Sequence, residues 1–174
     1  MSVFNHSLVL TVLGADRPGL VESLASLVKD HDGNWEESRM CRLGGQFAGI
    51  VQITIPDSTF PKWQEEIKSL QKSGLQILVA EDTATAEADP GKTAVFEIIG
   101  NDQPGIIQQI TSALARHQVN VNDLSSECSS APWSGDPIFK AHAEVQIPQD
   151  CDIVKLRNDL ELIAADLMVD IQFD

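Results

Sequence analysis

No tyrosine occurs among the 174 residues, and aromatic side chains make up 5% of them. An RNA platform built on a split βαβ sheet stacks bases on aromatic side chains, so this composition argues against one. Positive charge is also scarce: 12 basic side chains face 26 acidic ones, a formal net charge of −14. A field of that sign repels phosphate backbones, and direct nucleic-acid binding is not expected. The three cysteines, Cys41, Cys128 and Cys151, are isolated and form no CxxC pair, which excludes a disulfide framework and fits a reducing compartment. Long apolar runs are missing as well. The run from Leu8 to Leu13 is too short for a signal or a membrane span, so a cytoplasmic protein without membrane contact is expected.

What the chain does have is a repeat. An offset of 86 aligns Gly14 with Gly100, Asp16 with Asp102, Pro18 with Pro104 and Gly19 with Gly105. The same offset pairs Ser26 with Ser112, His31 with His117 and Asn34 with Asn120. Further on the offset becomes 92, where "VQITIP" ending at Pro56 matches "AEVQIP" ending at Pro148, and Leu75 matches Leu167. Six extra residues therefore belong to the second copy, within the Ser-rich stretch 125–137 that carries Trp133. The copies also differ in charge: residues 1–80 carry 7 basic and 9 acidic side chains (net −2), residues 81–174 carry 5 and 17 (net −12). The division expected is a first domain over 1–80, an acidic linker of small residues over 81–92, and a second domain over 93–174.

Periodicity assigns the elements. "LVLTVL" and "AVFEII" are short apolar runs closed by glycine, as buried strands are. Leu20, Val21, Leu24, Leu27 and Val28, and then Ile106, Ile107, Ile110 and Leu114, recur at helical spacing. Strict alternation of Phe139, Ala141, Ala143, Val145 and Ile147 with polar residues marks a half-buried strand, matched by Phe47, Val51, Ile53 and Ile55. A strand precedes each of these, "NWEESRMCRL" and "VNVNDLSSE". Second helices carry Phe60, Trp63, Ile67 and Leu70, or Ile153, Leu156, Leu160 and Ile163, and the strands "LQILVA" and "LMVDIQF" close the copies. The order is βαββαβ, twice. The fold class expected is α+β: two tandem ferredoxin-like modules, each an antiparallel sheet with both helices on one face.

The doubled Asp-X-Pro-Gly turn leads each first strand into a helix. A helix N-terminus offers unpartnered N–H groups and positive potential to an anion. Gly19 and Gly105 leave the backbone open to close approach, while Asp16 and Asp102 can take an ammonium group. Together these complement an amino-acid zwitterion. The alternative is scaffolding, in which the aspartate caps the helix and Pro-Gly shapes the turn. An enzyme on the same fold, such as an acyl phosphatase, needs an anion-gripping arginine in the first turn; Arg17 stands there, but its counterpart is Gln103. His31 and His117 fall at equivalent helix ends and read as structural, His142 lies on a polar strand face, and His6 joins no metal-ligand pattern. Trp35 reads as packing, and Trp133 as tucked onto its own sheet or offered to a partner.

"GADRPGLVESLASLV…GNWEESRM" and "GNDQPGIIQQITSALARHQVNVNDL" resemble the opening βαβ of ACT domains, small-molecule regulatory modules that commonly sense amino acids. The resemblance covers nearly the whole chain. It implies ligand contacts at Asp16 and Asn34 in the first copy and at Asp102 and Asn120 in the second. Each asparagine is expected to face its Asp-containing turn from the start of the next strand. "VLGADRPGLV", "NWEESRMCRLGGQFAGI" and "APWSGDPIF" are similar to a transcription-regulating branch of that family. That likeness implies a non-enzymatic repressor that needs no cofactor or metal, responds to a small amino acid such as glycine, and acts through a DNA-binding activator protein. Exposed sheet edges would allow a homo-oligomer. One departure stands out. Many amino-acid-binding members carry Asn where this chain has Asp16 and Asp102, and a carboxylate there repels the ligand's own.

Overall fold

The computed structural model describes residues 5–72, 74–83, 91–131 and 135–173. Two compact units, Met1–Ala84 and Thr85–Asp174, each have their own core. The first module runs β1 (Asn5–Ala15), α1 (Leu20–Lys29), β2 (Asn34–Leu43), β3 (Gln46–Pro56), α2 (Phe60–Lys72) and β4 (Gln76–Glu81). The second runs β5 (Lys92–Asn101), α3 (Ile106–Arg116), β6 (Asn120–Ser130), β7 (Pro137–Ile147), α4 (Ile153–Leu167) and β8 (Val169–Phe173). Both are four-stranded, in the orders β2-β3-β1-β4 and β6-β7-β5-β8, with antiparallel neighbours throughout. This is the expected βαββαβ fold, made twice. Most of the acidic linker sequence, residues 84–90, lies outside the described residues, and its ends Glu81 and Lys92 are strand residues.

Alternation builds the cores. Leu8, Leu10 and Val12 point inward from β1 and meet Val51, Ile53 and Ile55 of β3, with Leu20, Leu24, Val28, Trp63 and Ile67 closing over them from the helices. In the second module Phe96, Ile98, Ala143 and Val145 meet Ile106, Ile110, Leu114, Leu156 and Leu160. Each fully buried large aliphatic side chain contributes about 1.5–3 kcal/mol.

The shared glycine that ends the apolar run has a packing reason. A Cβ on Gly14 would stand 2.8 Å from Leu75 Cδ2, and one on Gly100 would stand 2.6 Å from Val169 Cγ1 and 2.8 Å from its Cα. The closing strand passes too near for any side chain. The same contact corrects the sequence alignment. Val12 pairs with Ile77 and Ile98 with Ile171, so the offset has grown to 94 at the closing strand rather than 92. One of the two additional residues precedes α4, since Thr59 and Asp152 accept the first helical bonds at an offset of 93, and the other falls between the buried helical stripe and the closing strand.

The six-residue insertion sits where expected. β2 and β3 are joined by Gly44 and Gly45, both at positive φ (56° and 77°), as a two-residue hairpin needs. Between β6 and β7 run residues 131–136, and Trp133 lies outside the described residues. The helix-free faces have diverged. Ile50 and Leu78 stand out from the first sheet, whereas their counterparts His142 and Gln172 line a shallow hollow of 460 Å³ on the second.

Candidate functional site

The two turns are built alike. The Asp16 N–H donates to the Gly45 carbonyl (3.0 Å) and the Asp102 N–H to the Pro137 carbonyl (2.9 Å), so each aspartate extends the central ladder by one rung. Gly19 and Gly105 then cap α1 and α3 at φ 88° and 100°, and neither cap involves a side chain. The aspartates are therefore not helix caps. A left-handed cap is glycine's conformation, which accounts for both residues. It also leaves room: a Cβ on Gly19 would meet only Glu22 Oε2 at 3.8 Å, and one on Gly105 only Gln109 Nε2 at 3.8 Å. Both helix N-termini are thus open to solvent, with Asp16, Arg17 and Gly19 exposed at one and Asp102 and Gly105 at the other.

Each aspartate has a side-chain partner that sequence reasoning missed. Arg42, near the end of β2, places Nε 2.6 Å from Asp16 Oδ2. In the second module Cys128 takes that place, near enough for the Asp102 carboxylate to act on its thiol. These partners occupy one position of the fold: Arg42 and Gly14 both register with Phe47, and Cys128 and Gly100 both register with Phe139. Desolvation, followed by the Asp102 charge, pushes the Cys128 thiol above its ordinary range. Cys151 is pushed up in the same direction by desolvation and then by Asp150 and Asp152. Gln103 turns away from the opening and donates its Nε2 to the Leu167 carbonyl at the end of α4. Its amide donor is committed to the fold.

The asparagines do not face the turns. Asn34 pairs with Thr54, which pairs with Ser7, nine residues before Asp16 on β1. At 3.3 Å per residue the two lie about 30 Å apart along the sheet. Asn120, Gln146 and Thr93 repeat that register, again nine residues from Asp102. The reason is topological. β2 runs parallel to β1 after a helix that returns to the sheet's other end, so its first residue cannot meet the last residue of β1. Neither asparagine is a turn residue either: the positive φ values between helix and strand belong to Asp32 (56°) and Gln118 (58°). Asn34 is exposed, and Asn120 donates from Nδ2 to Asn122 Oδ1 at 2.9 Å. The structure thus gathers Asp16, Arg17, Gly19 and Arg42 at one end of the first module, and Asp102, Gln103, Gly105 and Cys128 at the matching end of the second. Among the described residues no group of three His, Cys, Asp or Glu side chains is placed to hold a metal ion. No described helix is long and apolar enough to cross a membrane.

Two ferredoxin-like modules, each opening on a glycine-capped helix, define the class. Residues 6–80 and residues 94–149 each match an ACT-domain model, and the chain belongs to the ACT-domain family as two such domains in tandem. It is homologous to the glycine cleavage system transcriptional repressor of Escherichia coli K12, 27% identical over 173 residues that span 93% of this chain and 86% of that protein. A UPF0237 protein of Methanopyrus kandleri is 34% identical over 74 residues, covering 41% of this chain and 82% of the relative. A solved structure of an unknown protein from Galdieria sulphuraria superimposes with a TM-score of 0.86 at 27% identity, over 98% of both chains.

Proposed function

We propose that this chain is a non-enzymatic, amino-acid-responsive regulator of the cytoplasm that represses transcription through a partner protein, with glycine as the first ligand to test. The observation that carries the reading is the extent of the match to the bacterial repressor, which runs through both modules instead of stopping at one. A shared ACT domain alone would fit many proteins. The turns supply the chemistry: glycine-capped helix N-termini for a carboxylate, each with an aspartate beside the opening. Charge supports the indirect route to DNA, because a chain of net −14 is repelled by phosphates.

The test is thermal unfolding with each of the twenty amino acids added singly. A ligand that binds only the folded state stabilises it by about 2.7 kcal/mol per site at a hundredfold excess over its Kd. Glycine or a similarly small amino acid should raise the melting temperature. A flat response across all twenty at millimolar concentration rules the sensor reading out.

A further inference from the structure

Resting on that reading, we propose that the two turns are not equivalent: the first module's turn accepts the amino-acid carboxylate, the second does not, and Arg42 is the positioning residue that makes the difference. An aspartate beside the opening repels a ligand carboxylate unless its charge is cancelled. In the first module it is cancelled, since Arg42 Nε lies 2.6 Å from Asp16 Oδ2. The surroundings are balanced as well, with Arg17 and Glu22 adding one charge of each sign.

At the same place on the second sheet stands Cys128. Its thiol carries no charge, and the thiolate that could form is disfavoured by the Asp102 carboxylate. Gln103 and Gln108 replace Arg17 and Glu22, so Asp102 is the one formal charge among these counterparts, and it is negative. A carboxylate approaching the N-terminus of α3 meets an uncompensated like charge. A carboxylate approaching α1 meets a neutral ion pair. Duplication has preserved the turn and changed its selectivity through one strand residue.

Calorimetric titration with glycine tests this on the full-length chain. The wild type should bind one glycine per chain. Arg42→Cys should weaken that binding about tenfold or more, the scale of one unscreened charge at close range. Asp16→Asn removes the need for the arginine, so Arg42→Cys added to Asp16→Asn should leave affinity within about twofold of Asp16→Asn alone. A merely structural role for Arg42 would not be rescued in this way. Cys128→Arg should create a second binding event. Two equal events in the wild type, an unchanged Kd in folded Arg42→Cys, or a folded Cys128→Arg chain that still binds once would each overturn the proposal. If Arg42→Cys fails to fold, wild-type stoichiometry and Cys128→Arg decide it. No binding of glycine or any other small amino acid overturns the sensor reading and this inference with it, whereas one event indifferent to Arg42 overturns this inference alone.

Discussion

One imidazole joins the two helices of the first module: His31 Nδ1 donates to the Leu27 carbonyl of α1 at 2.9 Å, and its Nε2 stands 3.6 Å from Glu66 Oε1 on α2. The residue is buried, and its own carbonyl accepts from Thr59 Oγ1 at 2.7 Å. His117 repeats the arrangement, with Nε2 2.9 Å from Asp159 Oδ2 on α4. Both histidines are therefore structural. His31→Ala removes buried volume and leaves a carbonyl and a carboxylate without their partner, so it should lower stability by about 2–3 kcal/mol. Urea unfolding measures this; a loss under about 0.5 kcal/mol, the range of ordinary surface substitutions, would mean the bridge is incidental.

Gly14→Ala and Gly100→Ala should both destabilise, the second more. On the first, the added methyl meets chiefly the end of the Leu75 side chain, which can rotate; on the second it meets the Val169 Cα and the Met168 carbonyl oxygen at 2.8 and 2.9 Å. Overpacking of this kind costs about 1–3 kcal/mol. Equal denaturation midpoints for the two variants would contradict the difference in contact.

Asn34→Ala should leave both glycine affinity and the unliganded melting temperature unchanged, because Asn34 registers with Ser7 through Thr54, at the opposite end of the sheet from the Asp16 turn. Asn34 is exposed at the start of β2 and holds no strained backbone conformation, so truncation there disturbs little of the fold. Asn120→Ala additionally breaks the hydrogen bond to Asn122. Titration paired with melting checks this: a loss of glycine affinity in either folded variant would place the ligand at the strand starts and away from the Asp-containing turns.

The pure protein should not retard DNA in a gel, yet should alter the mobility or footprint of an activator–DNA complex. Its acidic excess is concentrated in residues 81–174, which carry 5 basic and 17 acidic side chains. Retardation by the protein alone, weakening as salt rises, is the signature of phosphate contacts and would refute the indirect mode of action.

Asp152 caps α4, its Oδ1 accepting from the Lys155 N–H at 3.1 Å. That backbone bond, and then the Lys155 ammonium, hold its carboxyl below the usual carboxylate range. A lowered folded pKa means that the stabilisation is present above the unfolded pKa and is lost as pH falls through the folded one. Asp152→Ala should accordingly melt below the wild type at neutral pH, with the gap closing on acidification. A gap that stays constant down to strongly acidic pH would assign the loss to something other than the ionised cap.

The fold was legible because its signals are local. Alternation from Phe139 to Ile147 and the 3.6-residue spacing of α1 and α3 each identify an element from a short window. The repeat multiplied that evidence by showing each element twice. The distance between Asp16 and Asn34 was legible too, since a βαβ order already sends the second strand's start to the far end of the sheet; the family likeness, which pairs the two positions, obscured it. The partners of Asp16 and Asp102 were not legible. They reach across strands to residues 26 positions away in sequence, and the repeat aligns an arginine with a cysteine there, two residues that no pattern equates. The growth of the offset to 94 was hidden because it comes in single-residue steps on either side of the second helix's buried stripe, which keeps one offset from Trp63 and Leu156 to Ile67 and Leu160.

The protonated state of two thiols gives the molecule an unplanned chemical address. Alkylating reagents attack thiolates, and Cys128 and Cys151 are both held toward the neutral form. Cys41 on β2 is exposed and within reach of a maleimide dye. A fluorophore placed there sits one residue from Arg42, on the module whose occupancy it would report, without any engineered cysteine.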